Sequence, residues 1–127
     1  MAEKQASYQN GVLATLSVMG GKWKPLILCH MGAGPIRPAE LLRVVPGISQ
    51  KVLTDQLREL ERDEIIARHV YNEVPPHVEY EITPYGETLN KVLIAMSTWG
   101  EDRIKRLQEK GQSVDLVYPD HEGYDND

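Results

Sequence analysis

Six of the polar residues between positions 49 and 58 of this chain are Ser49, Gln50, Lys51, Thr54, Asp55 and Arg58. Their side chains suit hydrogen bonding to flat, polar targets rather than the making and breaking of covalent bonds. An arginine can fork onto a guanine edge, a glutamine can pair with adenine, and lysine or serine can hold phosphate oxygens. The same residues could equally form the solvated side of an ordinary amphipathic helix, which is a common object. What separates the two readings is the sequence around them.

Other chemistry is sparse. The histidines at 30, 69, 77 and 121 have no metal-ligand spacing among themselves or with Cys29, so no metal and no cofactor is expected. No glycine-rich phosphate loop occurs, and Ser, His and Asp form no nucleophile pattern, which argues against an enzyme. Cys29 is the single cysteine, so an internal disulfide is excluded and a reducing cytoplasm is the natural setting. Its apolar surroundings, Leu-Ile-Leu-Cys-His-Met at 26–31, suggest a small packed side chain, with redox sensing at Cys29 as the competing reading. Trp23 and Trp99 sit in apolar helical patterns and read as packing residues rather than stacking platforms.

The elements that would position the polar cluster can be read from periodicity. Residues 8–19 form a helix with Val12, Leu13, Leu16 and Met19 on one side, ended by two glycines. Residues 22–31 form a second, strongly apolar helix with Pro25 in its first turn. Gly-Ala-Gly-Pro at 32–35 breaks it, Ile36 and Arg37 make a very short strand, and Pro38 starts a third helix that Pro46 and Gly47 stop. Ser49 then caps a fourth helix in which Leu53, Leu57 and Leu60 form one stripe. Two β-branched stretches follow, 65–72 and 78–82, with Pro75 and Pro76 confined to the loop because neither could donate to a ladder. Thr83 and Pro84 open a last long helix to about residue 110. The fold class is therefore mainly α with a small β-hairpin (α+β), the order of a winged helix-turn-helix.

In that arrangement the second helix of the motif presents its N-terminal half to the major groove. The wing would be the loop 72–77, and Arg37, Arg68, Asn72 and His77 are the residues expected to touch the backbone or the minor groove. Glu73 and Glu79 beside the tip make a purely structural hairpin a serious competitor.

Composition permits this partner. With 41% hydrophobic and 26% charged residues in 127, the chain fits one globular domain, and no apolar run or signal-peptide core points to a membrane. The net charge of −5 is concentrated at the end: Asp115, Asp120, Glu122, Asp125 and Asp127 lie beyond residue 111 with no Lys or Arg. Without these five, 14 acids face 14 bases. Between Arg37 and Arg58, four bases oppose only Glu40 and Asp55, and local cations matter more to DNA than overall charge. Residues 1–111 are expected to be the binding and dimerisation domain and 112–127 an acidic, mobile tail.

Several stretches together resemble the HxlR-type winged helix regulators. They are Gly-Gly-Lys-Trp-Lys at 20–24, Ile27 with Leu28, Glu40 with Leu41, Pro-Gly-Ile-Ser-Gln-Lys-Val-Leu-Thr at 46–54, and Leu-Arg-Glu-Leu-Glu at 57–61. Val-Tyr-Asn-Glu-Val-Pro-Pro-His-Val-Glu-Tyr at 70–80, with Thr83 and Gly86, completes the set, and the likeness runs over about residues 12–104. The resemblance implies a cytoplasmic bacterial transcription factor related to the MarR group, more commonly a repressor, acting as a homodimer on palindromic double-stranded DNA. It also implies a dimer interface on the first and last helices. Val12, Leu16, Leu89, Val92, Leu93, Met96 and Trp99 are the residues expected there, and the last helix carries more apolar side chains, Ile104 and Leu107 included, than one monomer face consumes. Members that sense oxidants use a cysteine ten residues before the Gly-Gly; here that position is Asn10. The effector, a small molecule or otherwise, is left open. So is the alternative of a winged helix that binds a protein partner and no specific DNA.

Overall fold

The computed structural model describes residues 7–116, and its elements follow the local chemistry closely. Helix α1 spans Gly11–Met19 and starts later than the expected position 8 because Asn10 caps it, accepting from the Leu13 N–H at 3.1 Å. Helix α2 spans Trp23–Cys29, shorter than the expected 22–31. Its end tightens: the N–H groups of His30 and Met31 donate to Ile27 and Leu28, three residues back. Helix α3 spans Pro38–Val44 with proline in its first turn.

Helix α4, Gln50–Arg62, begins at Ser49, whose hydroxyl accepts from the Val52 N–H at 3.1 Å. It ends in a paired-bond stop: Ile65 N–H donates to Leu60 O and Glu64 N–H to Glu61 O, both at 3.0 Å. That geometry puts Glu64 at φ 64°, a left-handed conformation that a non-glycine residue adopts at a cost.

Strands β1 (Ile66–Tyr71) and β2 (His77–Ile82) pair antiparallel, with Ile66 opposite Ile82 and Tyr71 opposite His77. His77 thus belongs to the ladder and not to the loop. The very short strand expected at residues 36 and 37 is a single bridge: Ile36 and Tyr80 exchange both backbone bonds, at 2.9 and 2.8 Å. This bridge ties the lead into α3 to the hairpin.

The expected single last helix is two. Helix α5, Pro84–Glu87, is separated from α6, Asn90–Glu109, by a tight turn at Thr88 and Leu89, both of which donate three residues back rather than four. The cause lies upstream. Thr83 caps α5, its oxygen accepting from Gly86 N–H at 2.9 Å, and its hydroxyl donates to Glu64 O at 2.6 Å. Gly86 lies so close to the Ile65 carbonyl that an added Cβ would stand 2.1 Å from that oxygen. Helix α5 is therefore pinned to the base of the hairpin, and the turn redirects the chain so that Leu89 and Leu93 reach the core. After α6 the chain doubles back far enough for Gln108 to donate to Val114 O at 2.8 Å. Most of the expected acidic tail, residues 117–127, lies outside the described residues.

One core unites these pieces. Ile27, Leu28 and Met31 from α2 and its end, Leu41 and Val45 from α3, the α4 stripe of Leu53, Leu57 and Leu60, and Ile65, Ile66, Tyr80 and Leu93 are all buried. A fully buried side chain of this type contributes about 1.5–3 kcal/mol relative to exposure, so α4 is held mainly by its three leucines.

Candidate nucleic-acid interface

Burying the 53–57–60 stripe turns the opposite side of α4 outward. Ser49, Gln50, Lys51, Thr54 and Arg58 are all exposed, and Asp55 is half-buried between them. The structure thus brings the six residues of the polar cluster onto one accessible surface at the N-terminal half of one helix. Their electrostatics are uneven. Lys51 Nζ is 3.0 Å from Asp55 Oδ2, so this lysine already has a counter-charge. On α3, Arg43 is paired with Glu40; this contact lowers the Glu40 carboxyl below its ordinary value and raises the Arg43 guanidinium. Farther along α4, Arg62 pairs with Asp63 at 3.3 Å, and that contact raises its guanidinium. Among the described residues Arg37, Arg58 and Arg68 have no carboxylate partner, which leaves them as the available cations around this surface.

The hairpin divides its faces by register. Ile66, Arg68 and Val70 share one face with Val78, Tyr80 and Ile82; Ala67, His69 and Tyr71 share the other with His77, Glu79 and Glu81. Arg68 and Asn72 are exposed, as a backbone contact requires. His77 is differently placed. Its Nδ1 is 2.5 Å from Glu73 Oε1, its Nε2 is 3.0 Å from Glu79 Oε2, and its ring stacks on Tyr71 with centroids 4.6 Å apart. Both ring nitrogens are committed to carboxylates, so His77 organises the wing tip and is withdrawn from the expected phosphate contacts. His69 similarly faces Glu81 at 3.1 Å. The tip itself presents Val74, which is 99% exposed.

The apolar residues expected at a dimer interface separate into two groups. Val12 (65% exposed), Leu16, Val92, Met96 and Trp99 (71%) stand in solvent on α1 and α6 of a single chain. Leu93 is only 3% exposed and Leu89 packs against the core, so the monomer consumes Leu93 and it has no surface to offer a second copy. Cys29 is half-buried at the carbonyl end of α2. Helix N-termini, not C-termini, are where backbone dipoles favour a thiolate.

One pair escaped the sequence reading. Lys24, in the Gly-Gly-Lys-Trp-Lys stretch, is the buried charged residue of the described core, and its Nζ lies 2.6 Å from Glu59 Oε1 on α4. The available signal was a second lysine set directly before an apolar run, where a charge needs a partner.

Among the described residues no single helix is long and apolar enough to cross a membrane, and no group of three or more His, Cys, Asp or Glu is placed to hold a metal ion.

Comparison with known proteins agrees with this architecture. The model of the HxlR-like helix-turn-helix family matches residues 18–108. The HTH-type transcriptional regulator YtcD of Bacillus subtilis is 51% identical over 104 residues, covering 82% of each chain. A crystal structure of a ytcD regulator superposes with a TM-score of 0.71 at 52% identity, covering 77% of this chain and all of that one. The redox regulator HypR in its reduced form superposes with a TM-score of 0.73 at 46% identity, covering 79% of this chain and 99% of that one. A mainly helical chain with a two-stranded antiparallel hairpin, matched on this scale, leaves one assignment: the protein belongs to the HxlR-like helix-turn-helix family of DNA-binding transcriptional regulators.

Proposed function

We propose that the chain acts as a homodimer on a palindromic operator in the cytoplasm, each protomer laying α4 in a major groove, and that it represses the genes it controls. The observation that carries the reading is the division of α4: three leucines fix one side in the core, while Ser49, Gln50, Lys51, Thr54 and Arg58 are left exposed together. Arg58 reads a base edge, Gln50 and Thr54 add further contacts, and Ser49, Lys51, Arg37 and Arg68 hold phosphates. Asp55 trims the charge of Lys51. Asn72 lies beside the backbone at the end of β1.

Dimerisation is supported by the apolar side chains left in solvent on α1 and α6. Large apolar side chains left exposed in such number mark an interaction site, and a second copy of the same chain is the commonest occupant. Val12, Leu16, Val92, Met96 and Trp99 form it. A two-fold axis there sets the two α4 helices about one DNA turn, roughly 34 Å, apart. A small effector would find a cleft of about 340 Å³ between α1 and the α5–α6 turn, lined among the described residues by Tyr8, Thr15, Val18, Ile65, Tyr85 and Leu89 and by no charged side chain.

The test is selection from a random duplex pool. The expected product is an inverted repeat with half-sites one turn apart, bound in a salt-dependent way by a species of twice the 14.4 kDa chain mass in sedimentation. Trp99→Lys should give monomers that lose the repeat. A pool that stays unenriched would sink the reading.

A second reading has one observation in its favour: the carboxylates around His77 and the exposed Val74 make the wing tip a poor seat for phosphates. A winged helix used as a protein-interaction module would show that tip protected on partner binding and no enrichment of any DNA sequence.

A further inference from the structure

We infer that Lys24 is a positioning residue for DNA reading: its ion pair with Glu59 fixes the rotation of α4 about its own axis. The inference rests on the groove-reading role proposed above for α4.

Lys24 is 6% exposed and is the buried charge of the described core. Its partner Glu59 lies on the flank of α4, between the buried leucine stripe and the outward face, directly after Arg58. Stability does not account for such a pair. Taking the Lys24 ammonium from water costs about as much as its attraction to Glu59, whose side chain is 39% exposed, returns, and apolar replacements of similar volume are often neutral or stabilising. What the pair adds is direction. Leu53, Leu57 and Leu60 decide which side of α4 faces the core, but apolar contact is non-directional and tolerates a few degrees of roll. An ammonium–carboxylate hydrogen bond at 2.6 Å, made by a lysine whose stem is buried, narrows that roll. Side chains that read a base must be held to within about 0.5 Å and about 10–20°. The link from α2 to the residue beside Arg58 adds to that restraint.

The pair also occupies Glu59. Its negative charge already acts on Arg62, one turn along the helix. Without Lys24, that carboxylate would compete with DNA for the neighbouring arginines.

The test uses three variants and two duplexes, the sequence enriched by the wild type and a scrambled sequence of the same length. The double variant Lys24→Met with Glu59→Leu removes both charges, so net charge is unchanged and only direction is lost. Its thermal midpoint should equal or exceed that of the wild type. Its affinity for the scrambled duplex and its salt slope should also be unchanged, while the ratio of the two affinities falls about tenfold, the effect of one well-placed base contact. Lys24→Met alone should weaken binding to both duplexes as well, because Glu59 is then released. Glu59→Gln keeps an acceptor for Lys24 and covers the case in which the double variant does not fold; its discrimination should fall by a smaller factor, with scrambled binding held or raised because a carboxylate is removed. A folded double variant with an undiminished ratio, or an undiminished ratio in Glu59→Gln, overturns the inference. So does an equal loss on both duplexes in the double variant. If the wild type enriches no sequence, the DNA-reading role itself fails, and that is seen before any variant is made.

Discussion

Lys51 and Asp55 form an ion pair along the outward face of α4, with Nζ 3.0 Å from Oδ2 across one helical turn. The surface that would meet DNA therefore partly neutralises itself. Replacing Asp55 by Asn should free Lys51 for phosphate and raise affinity for all duplexes, with the salt slope steeper by about one unit. Anisotropy titrations at several salt concentrations check this. A loss of affinity on the selected sequence alone would instead make Asp55 a base reader.

Arg58 lacks a carboxylate partner among the described residues and is exposed on the same face. Arg58→Ala is expected to cost about 1–3 kcal/mol on the selected sequence and little on a scrambled one. An equal loss on both would reassign Arg58 to phosphate holding.

Glu64 occupies the left-handed position that ends α4, at φ 64°, where the conformation costs an L-residue about 1–2 kcal/mol. Glycine removes that strain and loses no packing, since Glu64 is exposed. After the extra chain entropy of glycine is set against it, Glu64→Gly should stabilise the fold by about 0.5–1 kcal/mol. Urea unfolding measures this directly, and a destabilised variant would show that the Glu64 side chain has a role of its own.

His30 sets part of the acid response. Burial lowers its imidazole below the ordinary 6.5. As pH falls, the unfolded chain takes up this proton before the folded one does. The contribution to stability is therefore complete above the ordinary value and declines from there down to the lowered folded value. Between about pH 7.5 and about pH 5.5 the wild type should lose more stability than His30→Gln, as urea midpoints at the two conditions would reveal. Identical losses would assign the acid response to other groups.

Much of this was legible in the sequence, for reasons that are local. Ser49 and Thr83 announce helix starts because capping needs nothing beyond the next turn, and the 53–57–60 leucine spacing fixes which side of α4 is buried. Asn10 is the same kind of signal: it stands where the resemblance places a sensing thiol, and its side chain caps α1. What local patterns do not contain is the meeting of distant residues. The break at Thr88 follows from Gly86 pressing on Ile65, about twenty positions earlier, and periodicity after Pro84 runs on as though that contact did not exist. Leu93 and Val92 are neighbours in one apolar pattern, yet one is core and the other surface, and only the packing of α6 separates them. His77 reads in the sequence as one of the residues touching the DNA backbone or minor groove, because Glu73 and Glu79, although near it in the chain, converge on its ring only once the strands pair.

The single bridge between Ile36 and Tyr80 has a consequence for control. It stitches the lead into α3 to the middle of β2, and Thr83 and Gly86 bolt α5 to the foot of the same hairpin. The lead into α3 and the start of α5 are thereby both tied to the hairpin. In the proposed homodimer, a signal that releases DNA would act on how two such units are aimed relative to each other.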